Sequence, residues 1–149
     1  MNMFYGQHTI HLNKQRAISL PDRFARELQG DFFVTQGFDQ NLILMPENVF
    51  LDLYQRVNKM NIANPVARLF LRHLLANAAF ISKDQISNIE ISNPLCEYAD
   101  LPTEDAAVVV GQGDHLEIWG QKKWQEQSLD LQDAAKNARK FARLNLGAN

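Results

Sequence analysis

Residues 31–45 of the chain, DFFVTQGFDQNLILM, consist of two short apolar runs on either side of a polar turn. The turn contains Gly37, Asp39 and Asn41, residue types that tolerate the positive φ angles of tight hairpins. The stretch therefore predicts a β-hairpin. Its strands are about four to six residues long, a length that suits a small barrel.

The same arrangement occurs again at residues 106–119, AAVVVGQGDHLEIW, at a shift of 74 residues. Upstream, a weaker match at a shift of 71 residues places Asn13 on Asp84 and Phe24 on Leu95. Each repeat reads as strand, polar turn, strand, helical turn, hairpin and then a helix with an aromatic residue. Because four short strands leave open edges and little core, two such units must pair, within one chain or between chains.

Helical segments separate and follow the repeats. One is predicted from Pro46 to Met60, and a second begins at Asn64–Pro65, an N-cap followed by a proline at the first helical position. We expect this pair to cover the barrel or to pack on a neighbour. A third amphipathic helix is predicted from Ser128 to Leu144. The predicted organisation is a first repeat at 7–49, a linking helical hairpin at 50–77, a second repeat at 78–121 and a helical tail at 122–149.

The composition is that of a soluble globular protein, with 149 residues, 46% hydrophobic and 21% charged. No apolar run approaches the ~20 residues that span a bilayer, and the start MNMFYGQHTI lacks the features of a secretory signal. The single cysteine, Cys96, excludes an intramolecular disulfide and a multi-cysteine zinc site. Together these observations predict a cytoplasmic protein.

Charge is unevenly distributed along the chain. The net charge of −2 argues against indiscriminate coating of nucleic acid. Residues 7–30 nevertheless carry a local charge of +2 and residues 121–149 carry +3, whereas residues 82–101 carry −3. Such local patches matter more for phosphate contacts than the total does.

The sequence lacks the patterns that catalysis requires. His8 and His11 are three apart in a predicted strand and so point to opposite faces. Cys96 is expected to be a small buried side chain, and Gly111 and Gly113 belong to a hairpin and not to a phosphate loop. We therefore expect no enzyme, no catalytic residue, no cofactor, no metal and no small-molecule substrate.

Basic residues cluster at the start of the first repeat. Lys14 and Arg16 stand in the turn Asn13–Arg16, which precedes a predicted strand at Ala17–Leu20. Arg23 and Arg26 follow on a helical turn after a proline. Two interpretations are open: these side chains contact a phosphate backbone, or they are solvated residues that pair with nearby carboxylates or with a neighbouring subunit.

The repeated unit resembles the SpoVT/AbrB-type swapped-hairpin domain, and two such units with a helical pair between them resemble the MraZ family. The resemblance spans roughly residues 3–126. It rests on the order and spacing of several segments: Met3–Gly6 (MFYG), 18–24, 33–46, 64–79 (NPVARLFLRHLLANAA), 97–102 (EYADLP), 108–119 and Trp124.

The resemblance implies an α+β, β-rich fold in which two half-units form a swapped-hairpin, double-psi-type β-barrel, with a helical pair between them and a C-terminal helix. It also implies a bacterial transcriptional regulator of the division and cell-wall gene cluster. Such a protein binds double-stranded DNA at direct repeats in the promoter. It acts as a ring-shaped homo-oligomer in the cytoplasm, associated with the nucleoid and not with a membrane.

The turns depart from the family pattern, Asp-x-x-Gly-Arg or Asp-x-x-x-Arg. In the first repeat the corresponding residues are Asn13, Arg16 and Ala17, so the acid, the glycine and the arginine are all replaced. The second repeat retains the acid, Asp84, but has Asn88 at the arginine position. We expect arginine in place of glycine to change the backbone shape of the first turn.

We accordingly expect the first repeat to supply the DNA-binding face and the second to complete the barrel and the ring. The candidate DNA-binding residues are Lys14, Gln15, Arg16, Arg23 and Arg26. The alternative is a diverged, antitoxin-like interaction or scaffold module with weak or no DNA binding. The basic tail is expected to be a solvated face or a subunit contact, or else an accessory DNA-binding element.

Overall fold

The computed structural model describes residues 3–60 and 62–147, which form a β-rich α+β fold, as predicted. The strands are β1 (Gln7–His11), β2 (Ala17–Ile18), β3 (Phe32–Gln36), β4 (Leu42–Pro46), β5 (Ala79–Ile81), β6 (Ile89–Glu90), β7 (Ala106–Gly111) and β8 (Leu116–Gly120). The helices are α1 (Asp22–Ala25), α2 (Glu47–Asn58), α3 (Pro65–Leu75), α4 (Asn93–Ala99), α5 (Gln121–Gln132) and α6 (Ala134–Ala142). None of these helices is long and apolar enough to cross a membrane.

The two repeats exchange their first strands. Six strands form one antiparallel sheet in the order β1-β7-β8-β4-β3-β5, while β2 and β6 form a separate two-stranded sheet. Strand β1 of the first repeat therefore pairs with β7 of the second, and β5 of the second pairs with β3 of the first. The predicted pairing of two half-units is thus achieved within one chain.

Equivalent residues of the two repeats face each other across a central strand pair. In the β4–β8 register, Leu42 lies opposite Ile118 and Leu44 opposite Leu116, with Ile43 opposite Glu117 between them. Because Leu116, Glu117 and Ile118 are the 74-residue equivalents of Leu42, Ile43 and Leu44, an approximate two-fold axis passes through this pair.

Both repeats contribute to the main hydrophobic core. Phe24 and its equivalent Leu95 are each 1% exposed and belong to the same cluster. A smaller cluster lies on the opposite side of β4, because Ile43 and Met45 alternate with the core residues Leu42 and Leu44. Helices α2 and α3 cover this second face.

Both helices between the repeats begin close to their predicted positions, and α2 also ends close to the predicted Met60. The Asn64 side chain accepts hydrogen bonds from the backbone N–H groups of Val66 at 2.9 Å and Ala67 at 3.4 Å, which starts α3 at Pro65. The helices bury Phe50 and Leu74 against the sheet, where Phe50 stacks on Phe33 with ring centroids 4.1 Å apart.

Two predictions of secondary structure are wrong. The expected single helix from Ser128 to Leu144 is two helices, because Asp133 breaks it and its side chain accepts the Lys136 N–H at 3.1 Å as a new N-cap. A strand was expected at Ala17–Leu20, but the observed strand β2 contains only Ala17 and Ile18, because its partner β6 is itself two residues long.

Candidate nucleic-acid interface

The first-repeat turn, Asn13–Arg16, is closed by the asparagine at its start. The Asn13 side-chain oxygen accepts backbone N–H groups of Gln15 at 2.9 Å and Ala17 at 3.0 Å. The Asn13 carbonyl also accepts the Arg16 N–H at 3.0 Å, and its N–H donates to the Ala17 carbonyl at 3.0 Å. An amide oxygen therefore orders this turn from the position where the family pattern has a carboxylate.

Arg16 adopts the left-handed conformation, with φ of 58°. Arg16 takes the conformation that glycine, the residue of the family pattern at this position, adopts most easily. That arginine here gives the turn a different shape from the family's stays a prediction. A non-glycine residue there stores about 1 kcal/mol of backbone strain. The hydrogen bonds of Asn13 hold the turn in place despite this strain.

The three candidate residues of the turn differ in exposure. Lys14 and Gln15 are exposed, whereas Arg16 is half-buried and lines a cavity of about 400 Å³ with Cys96 and Glu97 of the second repeat. The turn thus presents one freely solvated cation and one cation that lies against its own protein.

Cys96 is buried beside this cavity, as predicted. It is 5% exposed, and its thiol donates a weak hydrogen bond to the Ile91 carbonyl at 3.7 Å. Burial raises the pKa of the Cys96 thiol, while the Arg16 charge opposes that shift. The group is therefore a neutral packing element at physiological pH.

Arg23 and Arg26 form a second part of the candidate surface, on and just after α1. The Arg23 guanidinium donates to the Tyr5 carbonyl at 3.1 Å and lies 5.3 Å from the centre of the Tyr5 ring. Arg23 and Arg26 line a cavity with Met3 that does not include the turn. The structure therefore divides the predicted residues into a turn group and an α1 group.

The sequence predictions missed Tyr5 as a part of this surface. Tyr5 is 60% exposed, and the neighbouring Phe4 is fixed by hydrogen bonds to Gly113, with N···O distances of 2.7 and 2.8 Å. A side chain at Gly111 would collide with the Tyr5 backbone, so the N-terminal segment packs closely on β7. The signal in the sequence is the motif Met3–Gly6, which places an aromatic side chain just before the first strand.

The basic side chains of both groups are free of ion pairs within the part of the chain that the structure describes. The ion pairs found there are Asp52–Arg56, Asp114–His115, Lys123–Glu126 and Asp130–Lys136. The open interpretation in which Arg23 or Arg26 pairs with Asp22 or Glu27 is therefore not observed.

The equivalent turn of the second repeat is built differently. Ser82 caps a 3₁₀ turn at Lys83–Gln85, and the Gln85 side chain accepts the Ser82 N–H at 3.0 Å. Its one basic side chain is Lys83, whose backbone N–H donates to Asp31 at 2.9 Å. This turn lacks a left-handed residue and carries an exposed acid, Asp84.

The fold and this surface define a class of protein in which two half-units exchange strands and one of them presents a basic turn. Comparison with known sequences supports this assignment to a class. The profile of the family described as "MraZ protein, putative antitoxin-like" matches residues 3–73 and again residues 74–144. The chain belongs to the MraZ family, so the predicted resemblance and the tandem repeat are confirmed.

Individual relatives extend over most of the chain. A protein of Corynebacterium kroppenstedtii is 34% identical over 135 residues, 91% of this chain and 93% of the relative. Proteins of Mycobacterium leprae and Carboxydothermus hydrogenoformans are 36% and 33% identical, over 83% and 82% of this chain and 85% and 84% of the relatives. All three bear the name "Transcriptional regulator MraZ".

Proposed function

We propose that this chain is a sequence-specific, DNA-binding regulator of transcription that acts on the promoter of the division and cell-wall gene cluster. The relatives' name supports regulation of transcription. The observation that carries the DNA-binding part is the ordered turn at Asn13–Arg16, which ends in a left-handed Arg16 and whose basic side chains have no acidic partner among the described residues. No catalytic role is proposed.

The turn group supplies the first phosphate contacts. Lys14 is solvated, and Gln15 next to it offers an amide for a phosphate oxygen or a base edge. Arg16 is half-buried beside the second repeat, and its planar guanidinium loses less entropy per hydrogen bond than a lysine side chain does. Each neutralised phosphate releases condensed counterions, which makes the affinity dependent on salt.

The α1 group extends the same basic surface. Arg23 is positioned by Tyr5, while Arg26 is exposed and has more freedom to reach a phosphate. Several subunits in a ring-shaped homo-oligomer then engage successive direct repeats, which converts weak contacts into avidity. The protein acts in this way in the cytoplasm, on the nucleoid.

Electrophoretic retardation of DNA from the protein's own promoter region, measured across a salt series, tests this proposal. We expect binding that weakens steeply with salt, and a shallower slope when Lys14 and Arg16 are both changed to alanine. The exposed residues Lys59 and Lys122, changed together to alanine, form a control of equal charge. No retardation at about 50 mM salt would contradict DNA binding, since phosphate contacts are strongest at low salt.

A second function is supported by the divergence of both turns from the Asp-x-x-x-Arg pattern. In that case the fold and assembly serve an antitoxin-like or scaffold role without DNA. The retardation experiment, with self-association measured at the same salt concentrations, distinguishes the two functions. A scaffold self-associates at every salt concentration and retards no promoter fragment.

A further inference from the structure

The C-terminal helices lack the cover that their counterparts have. Helices α2 and α5 are equivalent at the 74-residue shift, but α2 and α3 bury residues against the sheet, whereas α5 and α6 have no buried residue. Large apolar side chains are consequently exposed there: Leu129, Leu131, Phe141, Leu144 and Leu146. Apolar groups concentrated on one surface element mark an interaction site.

Helix α6 cannot cover itself by folding back on α5. Only Asp133 connects the two helices, and helix–helix connections in bundles need about 2–8 residues. The bend is fixed further, since the Asn137 side chain donates to the Asp130 carbonyl at 2.6 Å and Lys136 approaches the Asp130 carboxylate at 3.7 Å. These contacts fix the bend between α5 and α6 and leave Phe141, Leu144 and Leu146 exposed.

This exposed segment is both apolar and basic. Ala134, Ala138, Phe141 and Ala142 recur at helical spacing and share one face of α6. Residues 134–147 contain four basic side chains and no acidic one, and the basic residues are Lys136, Arg139, Lys140 and Arg143. A binding site for this segment needs an apolar floor and carboxylates at its rim.

A groove with these properties lies on the first repeat. It has a volume of about 570 Å³, and Phe4, Val49 and Leu51 form its apolar lining. Four carboxylates surround it, with no basic side chain among the lining residues: Glu27, Asp31, Glu47 and Asp114. Of the ion pairs in the described parts of the chain, the one that reaches this groove is Asp114 with His115.

We propose that the α6 segment of one subunit docks in this acidic groove of a second subunit, with Phe141 on the apolar floor and the basic side chains on the carboxylates. The helix and the groove are different surfaces of one chain, so the contact is heterologous and propagates head to tail until it closes. DNA is a poorer occupant, because it would leave Phe141 and Leu144 in water. The inference rests on the self-association proposed above and gives it a named interface.

The test uses two full-length variants, each with one half of the contact removed. The helix variant is Phe141→Ser with Arg143→Glu, and the groove variant is Glu27→Lys with Glu47→Lys. Sedimentation velocity over a concentration series should show each variant alone associating about tenfold or more weakly than the parent chain. An equimolar mixture of the two variants should form pairs and nothing larger. The intact α6 of the groove variant binds the intact groove of the helix variant, and the altered helix and altered groove of that pair bind no further subunit.

Matched controls carry the same changes elsewhere. Ile62→Ser with Lys122→Glu alters exposed residues outside α6, and Glu90→Lys with Glu126→Lys alters exposed acids outside the groove. Both should assemble like the parent chain, and circular dichroism should show native folding of every variant. Because the changed residues are exposed or half-buried, the fold should tolerate them.

Four results would overturn the inference. Parent-like assembly of the helix variant, or a mixture without pairs, would exclude this interface while leaving self-association intact. A parent chain that stays monomeric would exclude self-association as well. A helix variant that loses affinity for a single-site DNA fragment but assembles normally would assign the segment to DNA instead. Loss of promoter binding alone would contradict only the proposed function.

Discussion

The two repeats of this chain share their strand order but differ in the turn after the opening strand. The first turn is ordered by Asn13, has a left-handed Arg16 and is basic, whereas the second is a capped 3₁₀ turn with Lys83 beside Asp84. The helices differ in the same sense, since α2 and α3 bury residues against the sheet, whereas α5 meets the sheet with the half-buried Trp124 and neither α5 nor α6 has a buried residue. A duplicated fold thus retains its core while its surfaces specialise.

The largest expected effect tests whether the shared core makes the repeats one folding unit. Phe24→Ala and the equivalent Leu95→Ala should lower the free energy of unfolding by about 3–5 and 2–5 kcal/mol, because both side chains are fully buried. Urea unfolding followed by circular dichroism and by fluorescence of Trp119 and Trp124 should give one midpoint for each variant. Separate midpoints for the two signals would show that the repeats unfold independently.

The helices provide the next comparison. Leu74→Ala on α3 should cost about 2–5 kcal/mol, because this side chain is 0% exposed. Phe141→Ala on α6 should change the stability of a dissociated subunit by no more than about 0.5 kcal/mol, because its side chain is 56% exposed. Thermal unfolding at low protein concentration measures both. A large loss for Phe141→Ala would mean that α6 packs on its own chain.

The first turn predicts opposite effects on stability and DNA binding. Arg16→Gly should raise the free energy of unfolding by about 1 kcal/mol, because glycine relieves the left-handed strain. It should weaken DNA binding, because a positive charge is lost. Arg16→Ala is the control: it removes the same charge and retains the strain. Equal stability of the two variants, measured by urea unfolding, would argue against a strained turn.

The smallest effect concerns Cys96 and pH. Burial raises the pKa of the folded thiol above its ordinary value of 9.0, so the unfolded chain releases this proton first as pH rises. The stability that the buried neutral thiol contributes is fully present below pH 9.0, and it is lost as the pH rises from there through the pKa of the folded thiol. Unfolding measured from pH 8 to 10 should show a loss of stability that Cys96→Ala reduces. An equal pH dependence in that variant would refute this account.

Local sequence pattern predicted the strands and the helix starts well. The runs around Gly37 and Gly111 became β3–β4 and β7–β8, and Asn64–Pro65 began α3 as expected. These features depend on residues close together in the chain, namely alternation, turn residues and a capping side chain.

The remaining features depend on longer-range or competing interactions. No local pattern specifies that β1 pairs with β7, and the exchange of strands was implied only by the family resemblance. The break at Asp133 was missed because its capping bond competes with helical periodicity. At the candidate site, the left-handed Arg16 is held by the local hydrogen bonds of Asn13, and Arg23 contacts Tyr5 through a tertiary contact; residue type alone reveals neither.

The measurement that tests the central claim most directly compares one lysine from each turn. Lys14→Ala and Lys83→Ala remove the same exposed charge from the first and second repeats. Binding of promoter DNA should be measured for both variants over a salt series by fluorescence anisotropy. If the first repeat is the DNA-binding face, the slope of log affinity against log salt falls by about 0.9 per engaged subunit for Lys14→Ala and is unchanged for Lys83→Ala. Equal slopes for the two variants, or a smaller slope for Lys83→Ala alone, would contradict the assignment of DNA binding to the first repeat.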